Sequence, residues 1–259
     1  MAFMRCTNNM AKIAIIGGTG LDEFSALQNL RAEKITTPYG ETSNVLMIGA
    51  IEGHEVIFLP RHGEKHNIAP HNINYRANLW ALKEQGVSHI VAVNAVGGIT
   101  DRMLPERIVF PDQIIDYTYS RQHTYSDENA STVTHVDLSL PYSESIRQVL
   151  QAAATDQGID FENRAVYGAT QGPRLETVAE IARMERDGCD IVGMTGMPEA
   201  SLARELDIEY ACCALVVNWA AGKGDGDIIT MDIIEQHMRS GMAAVRQLLI
   251  GALPALLKL

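Results

Sequence analysis

The chain has 259 residues, 46% of them hydrophobic and 20% charged, an ordinary globular balance long enough for one large domain or two small ones. A formal net charge of −11 argues against nonspecific nucleic-acid binding, which needs clustered cations, but allows a small anion held by a few local donors. No apolar run approaches the roughly 18–20 residues that span a bilayer, and the opening MAFMRCTNNMAK lacks a secretory core, so neither membrane nor nucleic acid is an expected partner and a cytoplasmic location is expected.

Residues 1–10 read as a flexible extension, with Met10 an alternative initiator, because regular structure is expected from Ala11 onward. AKIAII at 11–16 is a buried strand entering the Gly17-Gly18-Thr19-Gly20 turn, and 21–30 is expected to form a helical turn or two. Segments 44–50 and 55–59 flank Glu52-Gly53 and predict a hairpin. Ile73, Ala77, Trp80 and Ala81 share one face of a helix over 72–85 that Gly86 ends. A continuous apolar strand at 90–96 stops at Gly97-Gly98, and 107–110 and 113–117 suggest two more strands. The polar 120–131 stretch reads as a mobile loop, followed by an amphipathic helix at 143–157 and a strand at 165–169. A helix at 175–187, a strand at 190–193, a helix at 198–206 and a strand at 209–217 come next. The last helix covers 230–257, with a break expected near Gly251 or Pro254.

This alternation predicts an α/β fold: a single domain over 11–259 with a central mixed, largely parallel sheet flanked by helices. In such folds ligands gather beyond the carboxyl ends of strands. The polar motifs GGTG, NAVGG, MTGMPE and NWAAGKGDGD all follow apolar strands, which places them at one pocket. Cys6, Cys189, Cys212 and Cys213 form no CxxC pair and no disulfide framework. Adjacent Cys212 and Cys213 should point to opposite faces of their strand as free core thiols.

Taken one at a time, the polar residues leave several readings open. Gly17–Gly20 can present backbone N–H groups to an anion, with Thr19 adding a hydroxyl, or can simply be a tight turn. It lacks the third glycine of a dinucleotide site and the Lys-Ser/Thr ending of an NTP loop. Arg61-His62 offers a planar fork and an imidazole suited to phosphate, or an ion-paired surface turn. His62 and His66 are four apart but have no acidic third ligand at fitting spacing, so no metal is expected. Glu176 suits the N1–H of a 6-oxopurine and Asn218 its O6 and N7, yet alone they read equally as a helix N-terminal carboxylate and a turn residue.

Together the motifs become specific. IGGTGLDEF, FLPRHGEKHNIAPHNINYRANLWALKEQG, VNAVGGI, QGPRLETVAE, MTGMPEASLA and VVNWA occur in the order found in the trimeric purine nucleoside phosphorylase and methylthioadenosine phosphorylase family, which this chain resembles from about Ile13 to the terminal helix. The resemblance implies cleavage of a purine nucleoside by inorganic phosphate, a co-substrate, with no metal or organic cofactor. By matched position it implies phosphate contacts at Thr19, Arg61, His62, Ala95 and Thr195. Asn94 stands at the same site, where the methylthioadenosine branch tends to have threonine. Met194 corresponds to a ribose contact, and Leu175, Glu176 and Asn218 to the base pocket. Met231 and Ile234 match residues around the 5′ substituent, and His135 matches a histidine supplied to a neighbouring site in a homotrimer. Asn218, Glu176 and His62 are the implied catalytic residues.

Two departures bear on the substrate. The adenine-specific branch has aspartates where Asn218 and Ala220 stand and a small hydroxyl residue at the position of Glu176, so the base pocket resembles the 6-oxopurine branch. That branch typically has histidine where Met231 stands, and a thioether suits a methylthio group better than a hydroxyl. The combination points to 5′-methylthioinosine, giving hypoxanthine and 5-methylthioribose 1-phosphate in purine salvage. Alternatives are an inosine/guanosine phosphorylase, a methylthioadenosine phosphorylase, a hydrolase, and a purine-binding module without catalysis.

Overall fold

Short runs of Ile, Val and Ala, alternating between two faces, build the sheet. The computed structural model describes residues 11–18, 27–126, 132–224 and 229–259. In chain order the elements are β1 (Ile13–Gly17), β2 (Gln28–Glu33), β3 (Leu46–Ile51), β4 (His54–Pro60), α1 (Tyr75–Glu84), β5 (His89–Gly98), β6 (Ile108–Val109) and β7 (Gln113–Asp116). They continue as α2 (Glu144–Asp156), β8 (Phe161–Glu162), β9 (Val166–Ala169), α3 (Val178–Arg186), β10 (Ile191–Gly193), α4 (Gly196–Glu205), β11 (Glu209–Trp219) and α5 (Met231–Leu256).

The strands run β2-β3-β4-β1-β5-β10-β9-β7, with β11 paired to β5 and β6, and β6 to β8. Pairs β1–β4, β1–β5, β5–β11, β9–β10, β7–β9 and β6–β8 are parallel. Pairs β2–β3, β3–β4, β5–β10 and β6–β11 are antiparallel, so this single α/β domain carries the mixed, largely parallel sheet expected of it.

Side-chain alternation builds two large clusters, one on each face of the sheet, beside a smaller third around Ile99, Ile181 and Val192. Ile13, Val91, Val93, Ala211, Cys213 and Leu215 face α2 and the long α5. Ala14, Ile90, Ala92, Tyr210, Cys212 and Ala214 face α1 and α4. Cys212 and Cys213 therefore do point to opposite faces, and the described cysteines are free and buried. Burial pushes the Cys213 thiol up to about 12 and that of Cys212 upward as well, so both stay protonated.

The predicted hairpin is present, with Ile51 opposite His54 and left-handed φ values of 49° and 83° at Glu52 and Gly53. Three expectations need correction. Of the supposed 21–30 helix, 28–30 belong to a strand: β2 is an exposed edge that pairs with β3, with a register shift between Gln28 and Arg31, and that pairing overrides local propensity. Helix α3 begins at Val178, not at 175, because Thr177 forms a capping box with Glu180. Helix α5 is unbroken through Gly251 and Pro254. Leu249, Ala252, Leu253 and Leu256 bury that stretch in the core, and Gly251 lies against the Gln157 amide.

Candidate active site

The ends of β1, β4, β5, β10 and β11 open onto one cavity of about 640 Å³, closed on one side by the first turns of α5. Its lining contains Arg61, His62, Asn94, Ala95, Met194, Thr195, Leu175, Glu176, Asn218, Met231 and Ile234, so the chain brings together nearly every residue singled out in the sequence. Thr19 lies outside the described residues, although Gly18 beside it is in the wall. His135 is exposed and is not among the lining residues.

At one end sits Arg61, fully buried at the end of β4. Its Nε and Nη2 donate to the two oxygens of Glu199 at 3.0 and 2.9 Å, and Nη1 donates to the Val93 carbonyl at 2.7 Å. Glu199 is equally buried and also accepts from the Tyr210 hydroxyl at 2.9 Å. Burial alone would push the guanidinium pKa down; the paired carboxylate outweighs it and the net direction is upward. One N–H on each terminal nitrogen of Arg61 is left over from these bonds. Gly18 makes room for this arrangement, since a Cβ there would lie 2.5 Å from the Val93 oxygen and 2.7 Å from Arg61 Nη1.

Next to it, His62 Nδ1 lies 2.8 Å from the Ile68 carbonyl. A carbonyl only accepts, so Nδ1 carries a proton and the tautomer is fixed. Thr195 precedes α4, and its Oγ1 accepts from Asn94 Nδ2 at 2.7 Å. That leaves the Thr195 hydroxyl proton to be donated elsewhere. The Asn94 Oδ1 in turn takes the Cys212 thiol at 3.4 Å, so Asn94 orients Thr195 from behind.

At the opposite wall, Glu176 stands two residues before α3 and ahead of its cap, and is not a first-turn carboxylate of that helix. Its Oε1 accepts from Thr170 Oγ1 at 2.7 Å. Asn218 reaches the cavity through an irregularity in β11: the register against β5 shifts between Val216 and Asn218, which makes Val217 an extra residue. Regular alternation would send consecutive side chains to opposite faces, whereas Val217 and Asn218 both line the cavity. Asn218 Nδ2 donates to the Trp219 carbonyl at 2.7 Å, which assigns its amide orientation and leaves its second N–H available.

An apolar wall of Ile229, Met231, Ile234 and Met238 completes the cavity. Met231 is 65% exposed at the rim, and Ile234 is buried. Behind the other wall, Arg121 is buried and donates to the carbonyls of Thr170, Gln171, Met194 and Met197 over 2.6–3.1 Å, and to the Gln171 side chain at 3.1 Å. The expected mobile loop at 120–131 is therefore pinned at its start, whereas 127–131 lie outside the described residues. Gly172 allows the turn that follows: its φ of +59° is left-handed, and any Cβ would strike the Met194 sulfur.

Sequence reasoning did not find Arg121, Thr170, Glu199 or Met238. Glu199 did carry a signal, as an acid within the MTGMPEASLA motif that an α/β core can hold only if paired. Met238 is one turn beyond Ile234 on the predicted terminal helix, and spacing alone could have found it.

Comparison with known proteins places these features in context. A family model described as the Phosphorylase superfamily matches residues 12–253. A probable S-methyl-5′-thioinosine phosphorylase of Pseudomonas syringae pv. tomato is 54% identical over 246 residues, covering 95% of this chain and 100% of that relative. A 6-oxopurine nucleoside phosphorylase of Pyrococcus furiosus is 44% identical, covering 96% of this chain and 94% of that protein. Among solved structures, a methylthioadenosine phosphorylase from Schistosoma mansoni in complex with adenine superposes with a TM-score of 0.90 at 32% identity, covering 95% of this chain and 91% of that one.

Proposed function

Because this chain belongs to the Phosphorylase superfamily, we propose that it is a pentosyltransferase that cleaves a 6-oxopurine nucleoside with inorganic phosphate, with 5′-methylthioinosine as its principal substrate. The observation that carries this is the convergence of Glu176 and Asn218 on the same cavity as Arg61, His62 and Thr195. A carboxylate and an amide donor match a base that has an N1–H and a carbonyl at C6. The relatives named for S-methyl-5′-thioinosine and for 6-oxopurine nucleosides support the same base. The 5′ assignment is supported by Ile229, Met231, Ile234 and Met238, four apolar side chains grouped on one wall, with Glu235 the polar neighbour on the same turn of α5.

In this proposal phosphate lies at Thr19, Arg61, His62, Ala95 and Thr195, with Asn94 holding the Thr195 hydroxyl in place. Met194 lines the ribose and Leu175 the base. The C1′–N9 bond lengthens as the sugar gains oxocarbenium character, its electron pair moves onto the purine, and a phosphate oxygen forms the new bond to C1′. Asn218 turns its one remaining N–H to the N7/O6 edge as negative charge develops, Glu176 accepts N1–H, and His62 stabilises the phosphate. Donors already in place for developing charge carry most of the rate in such a site. Adenine needs a proton at N7, which an amide does not supply, and meets Glu176 acceptor to acceptor. No metal or organic cofactor is needed. In this proposal the enzyme works in the cytoplasm, a reading supported by its free buried thiols, as a homotrimer in which the exposed His135 reaches a neighbouring site.

Phosphate dependence tests the reaction type. Release of hypoxanthine from 5′-methylthioinosine should require phosphate and give 5-methylthioribose 1-phosphate in equal amount. Release at the same rate in phosphate-free buffer, with free sugar as product, would make the protein a hydrolase. Purine binding with no turnover would make it a binding module.

A further inference from the structure

Thr170 is a small polar residue that buries all but 8% of its surface at the end of β9. Its backbone is fixed from two sides. The N–H donates to the Gly193 carbonyl at 2.8 Å, and its own carbonyl accepts from Arg121 Nη2 at 3.1 Å. A threonine hydroxyl has one proton. Its shorter contact, at 2.7 Å, is with Glu176 Oε1, and the Gly193 oxygen lies further away at 3.3 Å. The proton therefore goes chiefly to the carboxylate.

Glu176 stands between two cavities. One is the 640 Å³ cavity already described; the other, of about 210 Å³, is lined by Thr170, Gln171, Tyr119 and Arg174. Thr170 borders only the smaller one, so Oε1 is engaged from that side. Oε2 is then wholly free to accept, whereas Oε1 already has one lone pair committed to Thr170 and is the weaker acceptor for a second donor. On this edge the two common 6-oxopurines differ in their donors. Hypoxanthine has only N1–H, whereas guanine has N1–H and an adjacent exocyclic amine, a pair of parallel donors that takes both oxygens of a carboxylate.

We propose that Thr170, by occupying Glu176 Oε1, is a specificity-determining positioning residue that makes the site favour hypoxanthine over guanine nucleosides. The assignment rests on the role given to Glu176 above. Thr170 lines only the smaller cavity and acts through Glu176; it makes Oε1 the poorer of the two acceptors that Glu176 offers.

The test uses two near-isosteric variants and one control, each assayed with phosphate on the 5′-methylthio derivatives of inosine and guanosine. Thr170→Val keeps the shape and removes the hydroxyl, and Thr170→Ser keeps the hydroxyl. The ratio of kcat/KM values, hypoxanthine over guanine, should fall about tenfold in T170V, the scale of one hydrogen bond to a charged group. T170S should keep the ratio within about twofold on the same scale. A purely structural loss would lower both substrates together and leave the ratio unmoved. An unchanged ratio in T170V, alongside a Glu176→Ala variant that has lost activity on both substrates, overturns the role of Thr170 and leaves that of Glu176 standing. Full activity in E176A overturns the role of Glu176 and this inference with it.

Discussion

Asn218→Ala should lower kcat for a 6-oxopurine nucleoside by about 10²–10³-fold, the cost of removing one preorganised donor to developing charge. The size follows from how this side chain is held. Its Nδ2 is anchored on the Trp219 carbonyl at 2.7 Å, and the β11 irregularity at Val217 turns it into the cavity, so the second N–H is aimed before substrate arrives. Alanine at this position keeps the backbone register and removes only the donor. Asn218→Asp is the sharper comparison. An ionised aspartate is isosteric but presents acceptors both to the Trp219 carbonyl and to O6. It should lose activity on the oxopurine by a similar factor of about 10²–10³ while narrowing the gap to the adenine nucleoside. Steady-state kinetics of the three proteins on one nucleoside pair measures this. Wild-type kcat in N218A would remove Asn218 from the mechanism.

Glu199→Ala should destabilise the protein by about 3–5 kcal/mol, because it leaves the Arg61 charge buried without its partner. Both side chains have no exposed surface, and the carboxylate accepts three hydrogen bonds, two from Arg61 and one from Tyr210. Against the 5–15 kcal/mol typical of folded domains this is a large share, and a chemical denaturation curve resolves it readily. The same substitution releases the guanidinium from the pose that directs its remaining N–H groups, so the KM for phosphate should rise more than the KM for nucleoside. Glu199→Gln keeps the volume and one acceptor and should fall between wild type and E199A. A stability change under about 1 kcal/mol in E199A would mean that Arg61 finds another buried partner, contrary to the geometry.

What the sequence disclosed depended on how local the cause was. The strands β1, β5 and β11 are read from their apolar runs, and the hairpin from Glu52-Gly53, because the determinants lie within a few residues. The start of α3 was misread as 175, although Thr177-Val-Ala-Glu180 carries the spacing of a capping box, which separates Glu176 from the helix. By contrast, β2 is polar and exposed, and is a strand only because β3 lies beside it. Arg121 lies in a polar stretch whose burial is decided by carbonyls about 50–76 residues away in sequence. The Arg61–Glu199 pair joins residues 138 apart, and neither position alone reveals the other. The convergence of Glu176 with Asn218 was legible only through the order of several motifs, since each residue alone has a bland explanation.

The most direct measurement is a comparison of kcat/KM, with phosphate, for 5′-methylthioinosine, inosine and 5′-methylthioadenosine. The expected order places 5′-methylthioinosine first. Inosine should fall below it by about 10–200-fold, the range of one small apolar preference, and 5′-methylthioadenosine by about 10⁴-fold or more, the scale set by mismatched buried hydrogen bonds. A clear preference for 5′-methylthioadenosine would contradict the assignment of Glu176 and Asn218 to a base with a keto group.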